Sequence, residues 1–296
     1  MKVLLKLLAV GALAFTTGCC SFCDCSCRSS AGEPNISVFA SFVRRVAKER
    51  GVSLSEAADM LYDLGVRGFD VGPDDKDLPE LAATKLKPIN FYFFPDMYAA
   101  DNGAADCRRC LDQAVRYGLP RVMVVPPHFT GKGDEAAEFE TCLSGMKLFV
   151  AEAKARGIVI TVEDFGGRSN PGSYTKYLKR FLSEIPDLQF ALDSGNLYYA
   201  DRPENDDILQ MMEYAKGRVG HIHLKDQTVE NHRKYQTLGL GGVPNEQIVR
   251  AMHAAGYTGW YTLENTVAGA DTYTETVRQV AVLKSWLTVP PAKPRK

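Results

Sequence analysis

Residues 135–163 read EAAEFETCLSGMKLFVAEAKARGIVITVE, which is one complete unit of helix, glycine and strand. From 135 to 156 the apolar side chains recur at the three- and four-residue spacing of an amphipathic helix. Gly157 follows directly, at a position where helices commonly end on glycine. The run 158–163 is short and rich in β-branched residues, which is typical of a buried strand. The stretch therefore predicts a helix that leads through a tight turn into a strand.

The same unit recurs along the chain on both sides of this stretch. From about Asn35 onward, short β-rich runs alternate with longer amphipathic ones, and other helical stretches also end on glycine, at Gly65, Gly118 and Gly256. The pattern predicts helices that include 54–64, 105–117, 135–156, 174–185 and 246–255. It predicts eight strands, at 36–41, 66–71, 88–93, 121–125, 158–163, 188–193, 219–225 and 260–264.

This alternation indicates the fold class. Strands that alternate with helices form a parallel sheet with right-handed crossovers, and eight units in roughly 250 residues match the size of a closed barrel. We predict an α/β protein with one domain, a (β/α)8 TIM barrel, at 35–288. A doubly wound open sheet is the alternative, and it is disfavoured because no glycine-rich dinucleotide motif follows an early strand.

The N-terminal segment has the pattern of an export signal. Met1 and Lys2 precede an apolar run that is too short to span a bilayer, which needs about 20 apolar residues. The run ends in Gly18 and Cys19 and is similar to the bacterial lipobox, which implies a lipid on Cys19. We expect a signal peptide at 1–18, a tether rich in Cys and Ser at 19–34, and a tail rich in Pro and Lys at 289–296. The mature protein would be a membrane-anchored lipoprotein facing the periplasm or cell exterior; cleavage without lipid is the alternative.

The cysteine spacing and the net charge argue against a zinc site, a redox motif and a nucleic-acid-binding protein. Five of the eight cysteines lie at 19–27, but no second ligand pair follows at the spacing of a zinc site. Cys107 and Cys110 form a C-x-x-C within a helical pattern, without the preceding strand of a redox motif, so we predict two ordinary helix residues. A formal net charge of -1 gives no general attraction to nucleic acid.

The last four strands place polar residues on one face. Successive side chains of a strand point to opposite faces, so in 158–163 Val162 faces the helices and Glu163 faces the barrel interior. The same alternation places Asp193, His223 and Glu264 inward at or near the ends of the next three strands. Active sites of such barrels lie at the C-terminal ends of the strands. The four inward residues are therefore the candidate site.

Three carboxylates and one imidazole in a single cavity predict a metal ion. Crowded carboxylates repel one another, and a cation offsets that repulsion. Three oxygen ligands and one nitrogen favour Mn²⁺ or Mg²⁺, with Zn²⁺, Co²⁺ or Fe²⁺ also compatible. Each residue alone could instead be a helix cap, an ion-pair partner or a core residue. Four matching positions at consecutive strand ends favour one divalent cation.

Four more residues are candidates for substrate binding. His221 lies on the same face one layer deeper, where it could hydrogen-bond a ligand rather than bind metal. Lys225 could hold a substrate oxygen, or form a salt bridge with Asp226 or with a site carboxylate. His128 follows the fourth strand, and Asp70 faces inward on the second. The aromatic run 91–95 is a candidate wall for sugar stacking.

Five motifs together resemble the xylose isomerase-like sugar phosphate isomerase/epimerase superfamily, over nearly the whole chain after the tether. They are Glu163-Asp164, LDSGN at 192–196, HIHLKD at 221–226, LGLGGVP at 238–244 and GYTGWYTLEN at 256–265. The resemblance implies that Glu163, Asp193, His223 and Glu264 bind one divalent metal. It also implies that Glu163 and Glu264 are the catalytic acid/base pair, as in the keto-sugar epimerases of the group.

Two departures from the family pattern leave the substrate open. Asn196 stands where members often have His, and Leu240 stands where they often have Glu. The related DNA-repair endonucleases need additional histidines for three zinc ions, and the five histidines of this chain do not supply them. We therefore expect a small carbohydrate rather than nucleic acid as the partner, while the sequence indicates no oligomeric state.

The predicted activity is that of a metal-dependent sugar isomerase or epimerase. One glutamate would take a proton from the carbon beside a carbonyl, and a carboxylic acid would return it, although a hydride shift is also compatible. Export favours a free sugar or keto-sugar over a phosphorylated one. A lyase or glycoside-cleaving enzyme acting on 3-keto-glycosides is the nearest alternative. A lipid-anchored sugar-binding protein without turnover is the alternative from another class, and the paired glutamates count against it.

Overall fold

The computed structural model describes residues 34–167, 169–199, 203–231 and 234–288. The predicted signal peptide, Cys19, the tether up to residue 33 and the tail lie outside the described residues. Among the described helices, none combines the length and the apolar character that crossing a membrane requires.

Strands and helices alternate along the described chain. The strands are β1 (Ile36–Phe39), β2 (Val66–Val71), β3 (Lys87–Phe93), β4 (Arg121–Val124), β5 (Val159–Glu163), β6 (Gln189–Asp193), β7 (Val219–Leu224) and β8 (Tyr261–Leu263). The helices are α1 (Ala40–Arg50), α2 (Leu54–Asp63), α3 (Leu78–Ala82), α4 (Ala104–Arg116), α5 (Glu135–Lys154), α6 (Thr175–Glu184), α7 (Ile208–Tyr214), α8 (Asn245–Ala254) and α9 (Thr272–Thr288). Cys107 and Cys110 both lie buried on α4, as predicted.

The eight strands form a closed parallel barrel. Each strand pairs with the next in sequence order, and β8 pairs with β1, where Ile36 lies opposite Tyr261. Helices cover the outside of this barrel, as right-handed crossovers require. The predicted single-domain (β/α)8 TIM barrel is confirmed, and the open-sheet alternative is wrong.

Side-chain alternation separates an apolar layer from a polar interior. Val162, Leu192 and Leu224 belong to the main apolar core, which also contains the buried faces of the helices. Met123 and Ala191, on the other face of their strands, belong to a separate small cluster inside the barrel. The interior of the barrel is therefore free to carry polar groups toward the C-terminal ends of the strands.

The first strand ends earlier than predicted. β1 stops at Phe39 and Ala40 already belongs to α1, because Ala40, Val43 and Ala47 are buried at the spacing of a helix. The glycine stops are as expected: Gly118 and Gly157 have φ angles of 67° and 71°, in the left-handed region where glycine carries no steric cost. Glu264 lies directly after β8, at the C-terminal end of the strands.

Candidate metal centre

The four predicted metal ligands converge at the C-terminal end of the barrel. Glu163, Asp193, His223 and Glu264 each offer one ligand atom, and these atoms all lie within 4.8 Å of one another. Each residue ends or directly follows its strand, except His223, which lies one residue before the end of β7. The alternation of inward side chains thus brings together residues that are far apart in sequence.

The turn after β6 fixes the carboxylate of Asp193. Its Oδ1 accepts hydrogen bonds from the backbone N–H groups of Gly195 at 2.8 Å and Asn196 at 2.9 Å. Its Oδ2 faces the centre, 2.9 Å from Lys225 Nζ. This is the role of the LDSGN motif: the turn satisfies one oxygen and leaves the other directed at the site.

His223 touches carboxylates through both ring nitrogens. Nδ1 lies 2.9 Å from Glu163 Oε1 and 3.5 Å from Glu264 Oε2, while Nε2 lies 3.1 Å from Asp70 Oδ2. The Nδ1 side therefore faces the predicted ligands. Asp70 holds the other side, the arrangement that orients many metal-binding histidines.

Lys225 is part of the centre. Its Nζ lies 2.9 Å from Asp193 Oδ2, 2.9 Å from Glu264 Oε1 and 3.2 Å from Asn196 Oδ1. Of the two salt bridges considered for this lysine, the structure has the one to site carboxylates and not the one to Asp226. Its contact with a substrate stays a prediction.

A fully buried polar layer lies beneath His223. Asp70 Oδ2 accepts a hydrogen bond from Asn90 Nδ2 at 2.7 Å and lies 2.9 Å from His221 Nε2. Thr262 donates to Asp70 Oδ1 at 3.2 Å. Asp70 and His221 are 0% exposed, so a molecule entering from the mouth meets His223 first. Asp70 therefore holds the His223 ring directly, and His221 holds Asp70. The predicted contact of Asp70 and His221 with substrate stays a prediction.

His128 lies away from the converging ligands. It sits in the loop after β4, with its Nδ1 2.9 Å from Ser169 Oγ. Its ring centroid is 6.4 Å from that of Phe165. The residue is therefore at the rim of the barrel, and its predicted substrate contact stays a prediction.

Only part of the aromatic run 91–95 faces the mouth of the barrel. Phe91 and Phe93 are buried in the main core, whereas Phe94 is 57% exposed and packs 6.5 Å from Tyr92, measured between ring centroids. The strand alternation explains the division, because neighbours in β3 must face opposite sides. The wall proposed from the sequence therefore consists of Tyr92 and Phe94 without their neighbours.

Two more aromatic residues complete this wall, and the sequence reading missed both. Phe165 lies 5.7 Å from Phe94, and Phe39 lies 5.0 Å from the His223 ring, both measured between ring centroids. The alternation rule could have found them, because Phe39 shares a face with inward Ser37 and Phe165 follows Glu163 by two residues.

Asp164 and Asn196 form a further support that the sequence reading did not assign. Asp164 Oδ1 accepts a hydrogen bond from the backbone of Asp193 at 2.6 Å, and Asn196 Nδ2 donates to the Asp164 carbonyl at 2.8 Å. Burial raises the pKa of Asp164 well above its usual range, and the nearby charge of Asp193 adds to the rise. Asn196, which stands where family members often have His, thus ties the ends of β5 and β6 together.

The carboxylate of Asp226 organises the LGLGGVP segment. It accepts hydrogen bonds from the backbone N–H groups of Gly239 at 2.8 Å, Gly241 at 3.0 Å and Val243 at 3.2 Å. A Cβ atom at Gly241 would lie 2.1 Å from Asp226 Oδ1, so any larger residue there would displace the carboxylate. The Asp of HIHLKD therefore accepts hydrogen bonds from the glycines of LGLGG, so the two motifs form one structural unit.

Burial and neighbouring charges shift the pKa values of the four converging residues. Burial raises the pKa of Glu264 to about 7 and also raises that of Glu163. Burial alone would lower the pKa of His223, but hydrogen bonds to Asp70 and Glu163 outweigh it and raise the value well above the usual range. For Asp193 the charges of Lys225 and His223 outweigh burial and lower the pKa.

The arrangement fits a divalent cation. Glu163, Asp193 and Glu264 carry three negative charges when ionised, and Lys225 compensates one. When His223 gives up its proton to bind a metal, two negative charges are left for a cation to balance. Asp193 Oδ2 and Glu264 Oε2 are buried and accept no hydrogen bond of normal geometry. Three carboxylates and one imidazole match the ligand preference of hard divalent cations.

Comparison with solved structures gives the same fold at low sequence identity. A 3-keto-D-glucoside 4-epimerase from E. coli aligns with a TM-score of 0.63 and 16% identity, covering 85% of this chain and 99% of that one. A xylose isomerase-like TIM barrel protein from Mycobacterium smegmatis in complex with magnesium aligns with a TM-score of 0.63 and 18% identity, over 87% and 97%. A probable 3-DHS dehydratase from Bacillus anthracis gives a TM-score of 0.67 and 12% identity, over 84% and 98%.

Sequence comparison assigns the family. A search of curated proteins gave no match. The family model described as "Xylose isomerase-like TIM barrel" matches residues 44–286, which is most of the chain. By this match, the closed barrel and the residues that converge at its C-terminal end, the chain belongs to the xylose isomerase-like TIM barrel family.

Proposed function

We propose that the protein is a divalent-metal-dependent sugar isomerase or epimerase that transfers a proton beside a carbonyl of a free sugar or keto-sugar. The observation that carries the proposal is the order of the ligands around the barrel. Glu163 ends β5 and Glu264 directly follows β8, so in strand order they flank Asp193 and His223. Both glutamates approach His223 Nδ1, at 2.9 Å and 3.5 Å. A sugar held over the ligands has a glutamate on either side.

The glutamates have the proton affinity that such a reaction needs. Burial raises the pKa of Glu264 to about 7, so this group can take up or release a proton near neutral pH. One glutamate removes the proton from the carbon beside the carbonyl, and a carboxylic acid returns it. Return to the opposite face of that carbon gives an epimer, and return to the adjacent carbon gives an isomer. A bound Mn²⁺ or Mg²⁺ supplies polarisation of the carbonyl and of a neighbouring hydroxyl.

The mouth of the barrel suits a carbohydrate. Tyr92, Phe94 and Phe165 form an aromatic wall beside the ligands, and the apolar face of a sugar ring packs on such rings. Among proteins of the same fold, one bears the name of a keto-glucoside epimerase and another was solved with magnesium. These names support the class of substrate and the class of metal.

An elimination reaction is the second candidate. Phe94 is 57% exposed, so the wall leaves room for a substituent that projects from the sugar. One of the proteins with the same fold is named as a probable dehydratase. Removal of the proton beside a carbonyl can expel a leaving group from the next carbon, so the same glutamates serve a lyase acting on 3-keto-glycosides.

Solvent deuterium exchange tests the proposal. The protein is incubated in D₂O with Mn²⁺ and a panel of free keto-sugars and 3-keto-glycosides, and carbon-bound deuterium is measured by NMR. We expect metal-dependent incorporation that Glu163→Gln and Glu264→Gln each reduce by about 10²–10⁴-fold, the usual contribution of a positioned acid or base. A rearranged sugar as product identifies an epimerase or isomerase, and a released aglycone identifies the lyase.

Glu246→Gln is the matched control. Glu246 lies exposed on α8 and pairs with Arg250, so the same chemical change there should leave the exchange rate unchanged. Turnover without deuterium incorporation would contradict proton transfer in favour of a hydride shift. If the wild type and both active-site variants bind sugar with equal affinity and none turns it over, the proposed enzymatic activity is contradicted. That result would support a sugar-binding protein.

We also propose that the mature protein is exported and held on a membrane by a lipid on Cys19, with a small carbohydrate as its partner. The support is the charged start, the apolar run at 3–15 and the small residues Thr17 and Gly18 before Cys19. One lipidated cysteine places the catalytic domain beside a membrane without any spanning helix.

A further inference from the structure

A cavity opens at the N-terminal end of the barrel, opposite the four converging residues. Its volume is about 440 Å³, within the range of about 300–1,000 Å³ that small-molecule sites occupy. Arg121 and Gln189 line it, and they are the first residues of β4 and β6. Tyr257 and Trp260, from the turn before β8, complete its polar and aromatic walls.

Arg121 lacks a partner in the described part of the chain. Arg121 lies two residues before Met123 on β4, so both side chains are on the face that points into the barrel. The Nε atom of Arg121 is buried without a hydrogen-bond acceptor. No described carboxylate pairs with it. Other partly buried arginines are satisfied: Arg44 binds Asp75, and Arg218 donates to the carbonyl of Ile185 at 2.8 Å.

A bound anion would compensate the positive charge of this unpaired guanidinium. Arginine keeps its proton at any ordinary pH, and burying a charge without a partner is costly. Burial lowers the pKa of Arg121, which reflects that cost. The carboxylate of Asp70 attracts the guanidinium of Arg121 at a distance, without a hydrogen bond between them. Both oxygens of Asp70 already accept hydrogen bonds, from Asn90 and Thr262. None of the residues that line the cavity is acidic.

We propose that this cavity binds a small oxyanion, a phosphate or carboxylate group, on the guanidinium of Arg121. The planar fork of arginine matches both groups through paired hydrogen bonds. Tyr257 is fixed beside the cavity, because its hydroxyl donates to the carbonyl of Trp260 at 2.9 Å. Met252 and Trp260 offer apolar surface to the organic part of such a ligand. The site is independent of the proposed catalysis.

Tryptophan fluorescence can report binding at this cavity. The chain has two tryptophans, and Trp260 lines the cavity whereas Trp286 is buried on α9. Inorganic phosphate and acetate are titrated in turn at constant ionic strength, held with chloride. We expect a saturable fluorescence change that disappears in Trp260→Phe, and the tighter of the two anions identifies the preferred group.

Two arginine variants and a control decide the outcome. Arg121→Gln should weaken anion binding about tenfold or more, since it removes charge-assisted hydrogen bonds. Arg121→Lys, which keeps the charge but not the fork, should bind with intermediate affinity and serves if the first variant does not fold. Arg108→Gln removes the same charge from the exposed face of α4 and should leave affinity unchanged. No saturable change in the wild type, or equal affinity in wild type and both Arg121 variants, would overturn the proposal.

Discussion

The proton on Glu264 should contribute to the pH dependence of the proposed metal centre. Burial raises the pKa of this carboxyl to about 7, so it is protonated below that pH and charged above it. A cation binds the charged form. We therefore expect Mn²⁺ affinity, measured by calorimetry, to be at least about tenfold weaker at pH 6 than at pH 8, since Glu264 must lose its proton and His223, whose pKa is also raised, must lose one too.

Glu264→Gln separates this effect from the other ligands. The variant has no proton to lose at position 264, so its weaker Mn²⁺ binding should depend less on pH over the same interval. The remaining dependence would report Glu163 and His223, whose pKa values are also raised. Equal slopes in the wild type and the variant would contradict the role given to Glu264.

The sequence located the four residues that converge at the mouth of the barrel but not the residues that hold them. Inward alternation at strand ends was enough to select Glu163, Asp193, His223 and Glu264. The hydrogen bond that His223 Nε2 donates to Asp70 was not predictable, because it joins β2 and β7 across the interior of the barrel. Which side chains meet across that interior depends on the tilt and stagger of the strands, and no local pattern records those quantities.

Asp226 determines the conformation of the segment between β7 and α8. Its two oxygens accept four backbone N–H groups, from Gln227, Gly239, Gly241 and Val243. In Asp226→Asn the NH₂ group that replaces one carboxylate oxygen cannot accept, so the two hydrogen bonds of that oxygen are lost and buried N–H donors are left unsatisfied. We expect a loss of roughly 2–4 kcal/mol in the free energy of unfolding, measured by urea denaturation.

The matched control is Asp187→Asn. Asp187 pairs with Lys154 at an exposed position, where the same substitution should cost no more than about 0.5 kcal/mol. Hydrogen exchange should accelerate in Asp226→Asn at Gly239, Gly241 and Val243 first. Uniform acceleration over the whole barrel, or a loss no larger than in the control, would show that Asp226 does not organise this segment.

The helices and strands were largely predictable, and the boundaries less so. Glycine stops and strand alternation are local signals, and they gave all eight strands. The end of β1 was misplaced because Phe39, Ala40 and Ser41 suit a strand or a helix equally well. The burial of Val43 and Ala47 against the barrel decides in favour of the helix, and that packing exists only in the folded molecule.

The proposed metal centre and the proposed anion site lie at opposite ends of the barrel, and the proposed anchor, Cys19, precedes the first strand in the sequence. Replacement of Cys19 should therefore change where the protein is found without changing its chemistry. We expect Cys19→Ser to move the protein from the membrane fraction to the soluble fraction, because a lipid chain on the cysteine is what binds the bilayer. Fractionation followed by mass spectrometry of the N-terminal peptide measures both the location and the lipid.

Cys20→Ser is the control, one residue further along the chain. It leaves Gly18 and Cys19 intact, so the protein should stay in the membrane fraction with its lipid. Metal affinity should be the same in both variants and the wild type. Retention of Cys19→Ser on the membrane would contradict the anchor.

Lys225 gives the centre a counter-ion of its own. Its ammonium group lies 2.9 Å from both Asp193 Oδ2 and Glu264 Oε1, the atoms that a cation would otherwise neutralise. Without a bound cation, the lysine compensates part of the charge of these buried carboxylates. We expect the folded protein to lose and regain its metal reversibly, so that the surrounding medium selects which ion it carries.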